Sequence, residues 1–450
     1  MKYIIYLYIG QVIKGLTFIL TREKIGMNKT ADLALMLVLY NYLLYSHLGL
    51  RFSIDKELPI LYYENKKKEI FEYKSKVLVG VFLLQFLISI LCYFILKDKN
   101  FYIILILISS LFLSLNETNK IFNRAKQDYQ IYSRYTLFYN LMIGIIPYIG
   151  AIYFSLHGVI IGYLVVNIFF WFLYFPKNIK IIFDVKFILR KIKENIIFYL
   201  INIITFSFLN LDKVIINNFL TEEDLGKYSI GTMFFSFLIL LPNGLSEILF
   251  PKLIVLIKNK KLTSKRVNIL LKRNVEVVYL MTVCFIFILP YFINIFFRNI
   301  QENIFIIQLI SVNIIYYGAV GMLSYIILAK KKENILLKKM FRELIIFLIS
   351  LVISINYIKK IEVIPFIYII INIILLNDHI NILEKDNLIN KNKIILEYIK
   401  KQIILVSLCF LTKINLILSL LIFIYILFKW SKKNNKYIKF ILKKLYKIKI

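Results

Sequence analysis

Lys14, Asp212 and Lys213 are ionisable side chains set inside long apolar runs of a 450-residue chain. An ionised group near the centre of a membrane helix costs about 2.5–3.5 kcal/mol on insertion scales, so it is retained where it faces a cavity or a partner. Two ammonium groups at similar depth on opposite walls of one cleft would attract an anion, and the carboxylate would orient or balance them. Neighbouring residues on a helix point about 100° apart, so Asp212 is poorly placed to neutralise Lys213. A partner on another helix is expected. The competing reading is that the lysines extend to the membrane surface and Asp212 bonds a neighbouring helix.

Weaker candidates surround these three. Asn41 and Gln308 belong to a set of neutral polar residues inside apolar runs that also includes Gln11, Gln85, Asn140, Asn167, Asn202 and Asn313. Most such groups act as interhelical glue, worth about 0.6 kcal/mol each; Asn41 and Gln308 are the pair selected to line a path. Glu117 and Glu247 lie near the ends of apolar runs, where they could gate or couple against nearby cations or simply form interfacial salt bridges. Pro147 and Pro242 interrupt two runs and either hinge or kink them.

Other chemistries lack their residues. His47, His157 and His379 are scattered, with no second ligand one helical turn away, so a metal site is not expected. Cys92, Cys284 and Cys409 are isolated within apolar segments and suit neither a disulfide framework nor a metal. No Gly-rich nucleotide loop and no Ser/His/Asp or Cys/His arrangement is present. The chain is read as a non-enzyme without a cofactor.

The elements that must position these groups are membrane helices. At 60% hydrophobic residues and mean hydropathy +0.74, the chain is too apolar for a soluble domain of this length. Of its 58 Lys and Arg residues, 46 fall in alternate connections, 10 in the intervening ones, and Lys14 and Lys213 inside runs. That alternation is the pattern of the positive-inside rule and places both termini in the cytoplasm. The net charge of +32 is thus a topology signal, whereas a nucleic-acid partner would require a basic face on a soluble domain. The run from residue 3 to 20 is followed by Thr21-Arg22-Glu23-Lys24, without a small-residue cleavage site, and reads as a first span.

With a ruler of roughly 20 apolar residues per crossing, fourteen spans result: 3–20, 31–50, 77–96, 101–115, 135–153, 158–175, 196–219, 228–250, 275–297, 303–328, 344–358, 361–377, 402–411 and 414–428. The connection Leu20-Thr21-Arg22-Glu23-Lys24-Ile25-Gly26 shares Leu, Thr, Glu and Gly in register with Leu220-Thr221-Glu222-Glu223-Asp224-Leu225-Gly226, with Ile against Leu. Each match precedes a span closed by a proline, Pro59 in one and Pro251 in the other. A duplicated six-helix unit follows. The predicted architecture is an all-α integral membrane protein with an N-terminal six-helix lobe (1–180), a second lobe (181–383), a helix pair (384–430) and a basic amphipathic tail (431–450) lying on the anionic inner leaflet.

Leu48-Gly49-Leu50 followed by Glu57-Leu58-Pro59, the run Asn210-Leu211-Asp212-Lys213-Val214-Ile215-Ile216, the turn Leu225-Gly226-Lys227-Tyr228-Ser229 and Phe250-Pro251 together resemble the Wzx-type polysaccharide flippases of the multidrug/oligosaccharidyl-lipid/polysaccharide (MOP) exporter group, across most of the first twelve spans. The resemblance implies a MATE-like fold. It also implies alternating-access transfer of an undecaprenyl-pyrophosphate-linked oligosaccharide across a bacterial cytoplasmic membrane for surface polysaccharide such as O-antigen, with a polysaccharide polymerase and glycosyltransferases as partners. Coupling to the membrane potential, Na+ or H+ stays open. A multidrug or small-cation exporter of the same group is the alternative, though it more often has twelve helices and a carboxylate-rich cavity. A membrane polymerase or ligase would carry a long external loop, and no outer connection here exceeds about ten residues.

Overall fold

The computed structural model describes residues 2–96, 101–126, 128–175, 180–258, 262–386, 389, 391–415, 418–430 and 432. Among them the chain is helical. In order come α1 (Lys2–Ile25), α2 (Met27–Leu43), α3 (Phe52–Tyr63), α4 (Lys67–Ile95), α5 (Phe101–Ala125), α6 (Tyr129–Leu173), α7 (Val185–Phe208) and α8 (Leu211–Phe219). Then follow α9 (Glu222–Lys258), α10 (Ser264–Phe296), a 3-10 turn (Arg298–Asn303), α11 (Ile304–Val312), α12 (Ile314–Ala329), α13 (Glu333–Ile358), α14 (Val363–Glu384) and α15 (Lys391–Ile414). A last apolar helix, α16, runs over Leu418–Trp430. Eight helical stretches of the described residues are long and apolar enough to cross a bilayer.

Thirteen of the fourteen expected spans coincide with one helix, with part of one, or with a broken pair; the second, expected over 31–50, ends early, because α2 stops at Leu43 and residues 44–51 form a turn. The helices overrun the expected ends because a hydropathy ruler stops at the first charges, whereas Lys, Arg and Glu propagate a helix as well as most apolar residues do. Thus α4 begins at Lys67 and α9 continues past Pro251 to Lys258. The segment 52–63, expected as part of a basic connection, is instead the helix α3, with Pro59 inside it. The basic tail lies outside the described residues apart from Lys432.

Three helices depart from a simple rod. In α6 the backbone leaves helical geometry at Ser155 (φ 53°, ψ −136°). Gly150 and Gly158 would lie about 12 Å apart along a straight helix, yet a Cβ on Gly150 would sit 2.2 Å from the Gly158 carbonyl oxygen. The chain therefore doubles back, and α6 supplies the fifth and sixth spans as a hairpin whose arms touch through glycine. The seventh span breaks at Leu209-Asn210 between α7 and α8, and the tenth breaks at Asn313 between α11 and α12.

By packing, the chain forms two compact units, residues 1–240 with 330–367, and residues 241–329 with 368–450. In the first, α1 packs most extensively on α6, α3 on α4, α5 and α7, and α13 on α7 and α8. One apolar cluster joins α2, α5 and α6 through Leu33, Tyr40, Ile106, Ile160 and Val166; another joins α3, α4, α5 and α7 through Ile54, Leu58, Val77, Phe122 and Ile188. Lipid tails are as apolar as these side chains, so close packing and interhelical hydrogen bonds must hold the helices together. Asn167 supplies several of these bonds, donating to the Tyr40 hydroxyl (2.6 Å) and Ser109 Oγ (3.0 Å) and accepting from the Tyr139 hydroxyl (2.8 Å). In the second unit, α10 packs on α11, α12 and α15.

Candidate functional site

The site begins at a turn. After α2 the backbone of Leu48 (φ 47°) and Gly49 (φ 95°) enters the left-handed region, which glycine adopts without steric cost. The Gly49 N–H donates to His47 Nδ1 (3.0 Å), and a Cβ on Gly49 would stand 3.3 Å from the Asn195 carbonyl oxygen of α7. This turn delivers Arg51 to the start of α3. The next turn of α3 is tied down on two sides: Asp55 accepts two hydrogen bonds from Arg124 of α5 (3.2 and 2.6 Å), Lys56 donates to Asn195 (2.8 Å), and Glu57 pairs with Lys191 of α7 (2.6 Å).

Arg51 is only 8% exposed, and its Nε and Nη1 groups meet no acceptor. Buried guanidinium donors without partners are costly and call for a ligand or a function. The carboxylate with the strongest pull on Arg51 is Glu117 of α5. Glu117 pairs with Lys120 one turn along (2.5 Å) and lies within Coulombic reach of Lys14 as well. Lys14 is half-buried on α1, where its Nζ lies 5.4 Å from the Phe18 ring. Among the described residues it makes no ion pair. Close packing sets its position, since a Cβ on Gly144 of α6 would lie 3.1 Å from the Lys14 Cα. Glu117 is in contact with Lys120, while Lys14 and Arg51, on which its charge bears, form no ion pair with it among the described residues.

A second charged group lies where α1, α8 and α9 approach. Asp212 is 1% exposed in the first turn of α8, where the helix N-terminus favours negative charge. It accepts from the Lys213 backbone N–H (2.8 Å) and, from another helix, from the Tyr228 hydroxyl of α9 (2.5 Å). Lys213 donates to Asn210 Oδ1 (3.1 Å), and the α1 cation within its Coulombic reach is Arg22 rather than Lys14. Buried Arg22 in turn donates to Ser229 Oγ (3.0 Å). The charged neighbours of Lys14 and of Lys213 are thus different.

The remaining candidates have other surroundings. Asn41 donates to the Leu37 carbonyl of its own helix (2.7 Å). Gln308, in the second unit, donates to the Ile286 carbonyl of α10 (2.8 Å) and accepts from Thr412 of α15 (3.2 Å), bracing three helices. Glu247 is on α9, and its side chain lies outside the described residues. Among the described residues no cluster of His, Cys, Asp and Glu could hold a metal. Sequence reasoning missed Arg51, Lys120 and Arg22. Arg51 and Lys120 were counted as loop cations; the signal available for Arg51 was its place directly after the Leu-Gly-Leu turn, and for Arg22 its place in the repeated heptapeptide, opposite Glu222.

No family model matches the chain, and no curated protein matches it. Solved structures do. The structure described as "Lipid II flippase MurJ, inward closed conformation" superposes with a TM-score of 0.71 at 15% identity, covering 97% of this chain and 99% of that one. An inward-facing multidrug resistance MATE family transporter of the MOP superfamily gives 0.60 at 13% identity over 88% of this chain and 95% of that one. A eukaryotic MATE transporter gives 0.59 at 13% identity, covering 89% of this chain and 98% of that one. The chain is a multi-pass, all-α membrane protein with the fold shared by MurJ and the MATE transporters.

Proposed function

We propose that this protein is a flippase that moves a lipid-linked oligosaccharide bearing pyrophosphate, of the undecaprenyl class, across the bacterial cytoplasmic membrane by alternating access. The observation that carries this reading is Arg51, buried with its Nε and Nη1 donors unpaired, in the same packing unit as Lys14, which makes no ion pair among the described residues. A phosphate group offers planar guanidinium and ammonium donors the acceptors they lack. The likeness in fold to a lipid II flippase supports a lipid-borne substrate, and the family resemblance supplies the polysaccharide context, with a polymerase and glycosyltransferases downstream and upstream. Two six-helix lobes related by the repeated heptapeptide would provide the alternating motion.

A multidrug exporter of the same fold is the second reading, favoured by the MATE likenesses. A surplus of cations at the site argues against a cationic drug. Deletion of the gene, followed by analysis of lipid-linked intermediates and surface polysaccharide, separates the readings. Intermediates trapped on the inner leaflet support the flippase. Unchanged polysaccharide together with new sensitivity to cationic compounds sinks it in favour of the exporter, and single-repeat chains at the surface would indicate a polymerase.

A further inference from the structure

The first turns of α7 present two different faces. Phe187, Ile188, Lys191 and Asn195 are buried against α3 and α4: the Phe187 ring stands 5.5 Å from that of Tyr73, and Lys191 pairs with Glu57 (2.6 Å). At about 100° per residue, Val185, Leu189, Lys193, Lys186 and Arg190 fall in that order across about 140° of the opposite face. All five are exposed. The chain leading into α7 continues this surface, with Ile181 90% and Phe183 63% exposed beside Lys180. Apolar side chains so exposed at the end of a membrane helix meet lipid rather than water.

The cations of this face are uncompensated. Both acids of the segment are engaged elsewhere: Asp184 accepts from the Phe187 N–H (2.9 Å) and pairs with Lys76 of α4 (2.9 Å), and Glu194 pairs with Lys191 (2.8 Å). Lys186, Arg190 and Lys193 make no ion pair among the described residues. Arg190 is steadied by the Phe187 ring, whose centre lies 5.9 Å from the guanidinium carbon.

We propose that this face binds one anionic phospholipid of the leaflet that the charge pattern assigns to the cytoplasm. Lys186, Arg190 and Lys193, spread over about 10 Å of helix, hold its phosphate, to which Arg190 offers a planar fork of donors. The acyl chains lie along Phe183, Val185 and Leu189. A zwitterionic headgroup brings an ammonium that these cations repel, so the site favours a headgroup with net negative charge. The site stands whatever substrate the protein carries.

Native mass spectrometry of the delipidated, detergent-purified full-length protein, titrated with phosphatidylglycerol and with phosphatidylcholine of the same chains, tests this. The wild-type protein is expected to bind phosphatidylglycerol about tenfold more tightly. Substituting Lys186→Gln, Arg190→Gln and Lys193→Gln together should abolish that preference, and Arg190→Gln alone should reduce it should the triple variant disturb folding. Lys67→Gln with Lys68→Gln, which removes exposed cations at the start of α4, should preserve it. Val185→Ser with Leu189→Ser should weaken phosphatidylglycerol about fivefold, because a lipid needs the apolar strip and a free phosphate does not. Equal losses in the α7 and α4 charge variants would show a response to bulk charge and overturn the proposal. Unchanged lipid affinity in the serine variant would leave a site for phosphate alone and overturn it as well.

Discussion

Gly226 packs directly on the backbone of Met27: a Cβ added to Gly226 would lie 2.7 Å from the Met27 carbonyl oxygen. Gly226 ends the second copy of the repeated heptapeptide, and Met27 follows Gly26, the end of the first. The two copies therefore meet at the start of α2 and in the first turns of α9, and the hydrogen bond from Arg22, in the last turn of α1, to Ser229 (3.0 Å) lies one turn further along α9.

Gly226→Ala should therefore be destabilising by about 1–3 kcal/mol, since the methyl group meets backbone that has little room to shift. Gly26→Ala should also be costly, by about 1–3 kcal/mol, for a different reason: Gly26 has open space around it but φ of 87°. Thermal unfolding in detergent reads both. A Gly226→Ala variant as stable as the wild type would show that the contact does not set stability.

The helix pattern was legible because each span is apolar and each basic connection breaks that pattern. What was hidden is instructive. Segment 52–63 carries Asp55, Lys56 and Glu57, and in a count of loop charges it looks like a connection; three consecutive contacts to α5 and α7 make it a seated helix. Arg51 was hidden for the same reason, since the positive-inside rule treats every terminal Arg as solvated. The breaks at Asn210 and Asn313 lie inside apolar runs and leave no hydropathy signal. They become intelligible from side-chain bonds, Asn210 accepting from Lys213 and Asn313 from Asn372 (3.3 Å). Of the candidate residues, Lys14, Asp212 and Lys213 stand out as charge in apolar surroundings and Glu117 as an acid near a helix end, but which cation neighbours which acid depends on helix rotation and contact, and a single sequence encodes neither in readable form.

Removing charge at the cluster should stop export while the protein remains in the membrane. Arg51→Gln and Lys14→Leu are each expected to lower export by about tenfold to a hundredfold, the value of a hydrogen bond to a charged group. Lys213→Leu tests the other group, since Lys213 answers to Asn210 and Arg22. Immunoblotting of membranes supplies the control for protein level. Normal export by a double Lys14→Leu, Lys213→Leu variant would remove both lysines from the substrate path.

Orientation follows from charge. Cysteines placed at Lys67 and Lys331 should react only from the cytoplasm, and those at Lys24 and Glu223 only from outside, all four positions being exposed. Membrane-impermeant maleimide on intact cells against permeabilised cells is the measurement. Labelling of Lys67 and Glu223 from the same face would mean that the number of crossings between them is even where the charge pattern requires an odd one.

The driving force need not be ATP or a co-transported cation. Carrying about two negative charges outward across an inside-negative membrane gains about 2.3 kcal/mol per charge per 100 mV. That gain exists only if the bound headgroup keeps net charge, which depends on how fully Lys14 and Arg51 neutralise it and on whether Glu117 stays ionised beside Lys120. In proteoliposomes, translocation should accelerate when a potassium diffusion potential makes the donor compartment negative, and Glu117→Gln, which removes one fixed negative charge from the site, should reduce the voltage dependence. A rate indifferent to voltage but dependent on a Na+ or H+ gradient would point to cation coupling instead. Asp212 is then the first carboxylate to test, because it is buried and its contact with the Tyr228 hydroxyl at 2.5 Å ties its state to the packing of α8 against α9. Asp212→Asn should uncouple transport from the gradient in that case and leave it unaffected if voltage alone drives it.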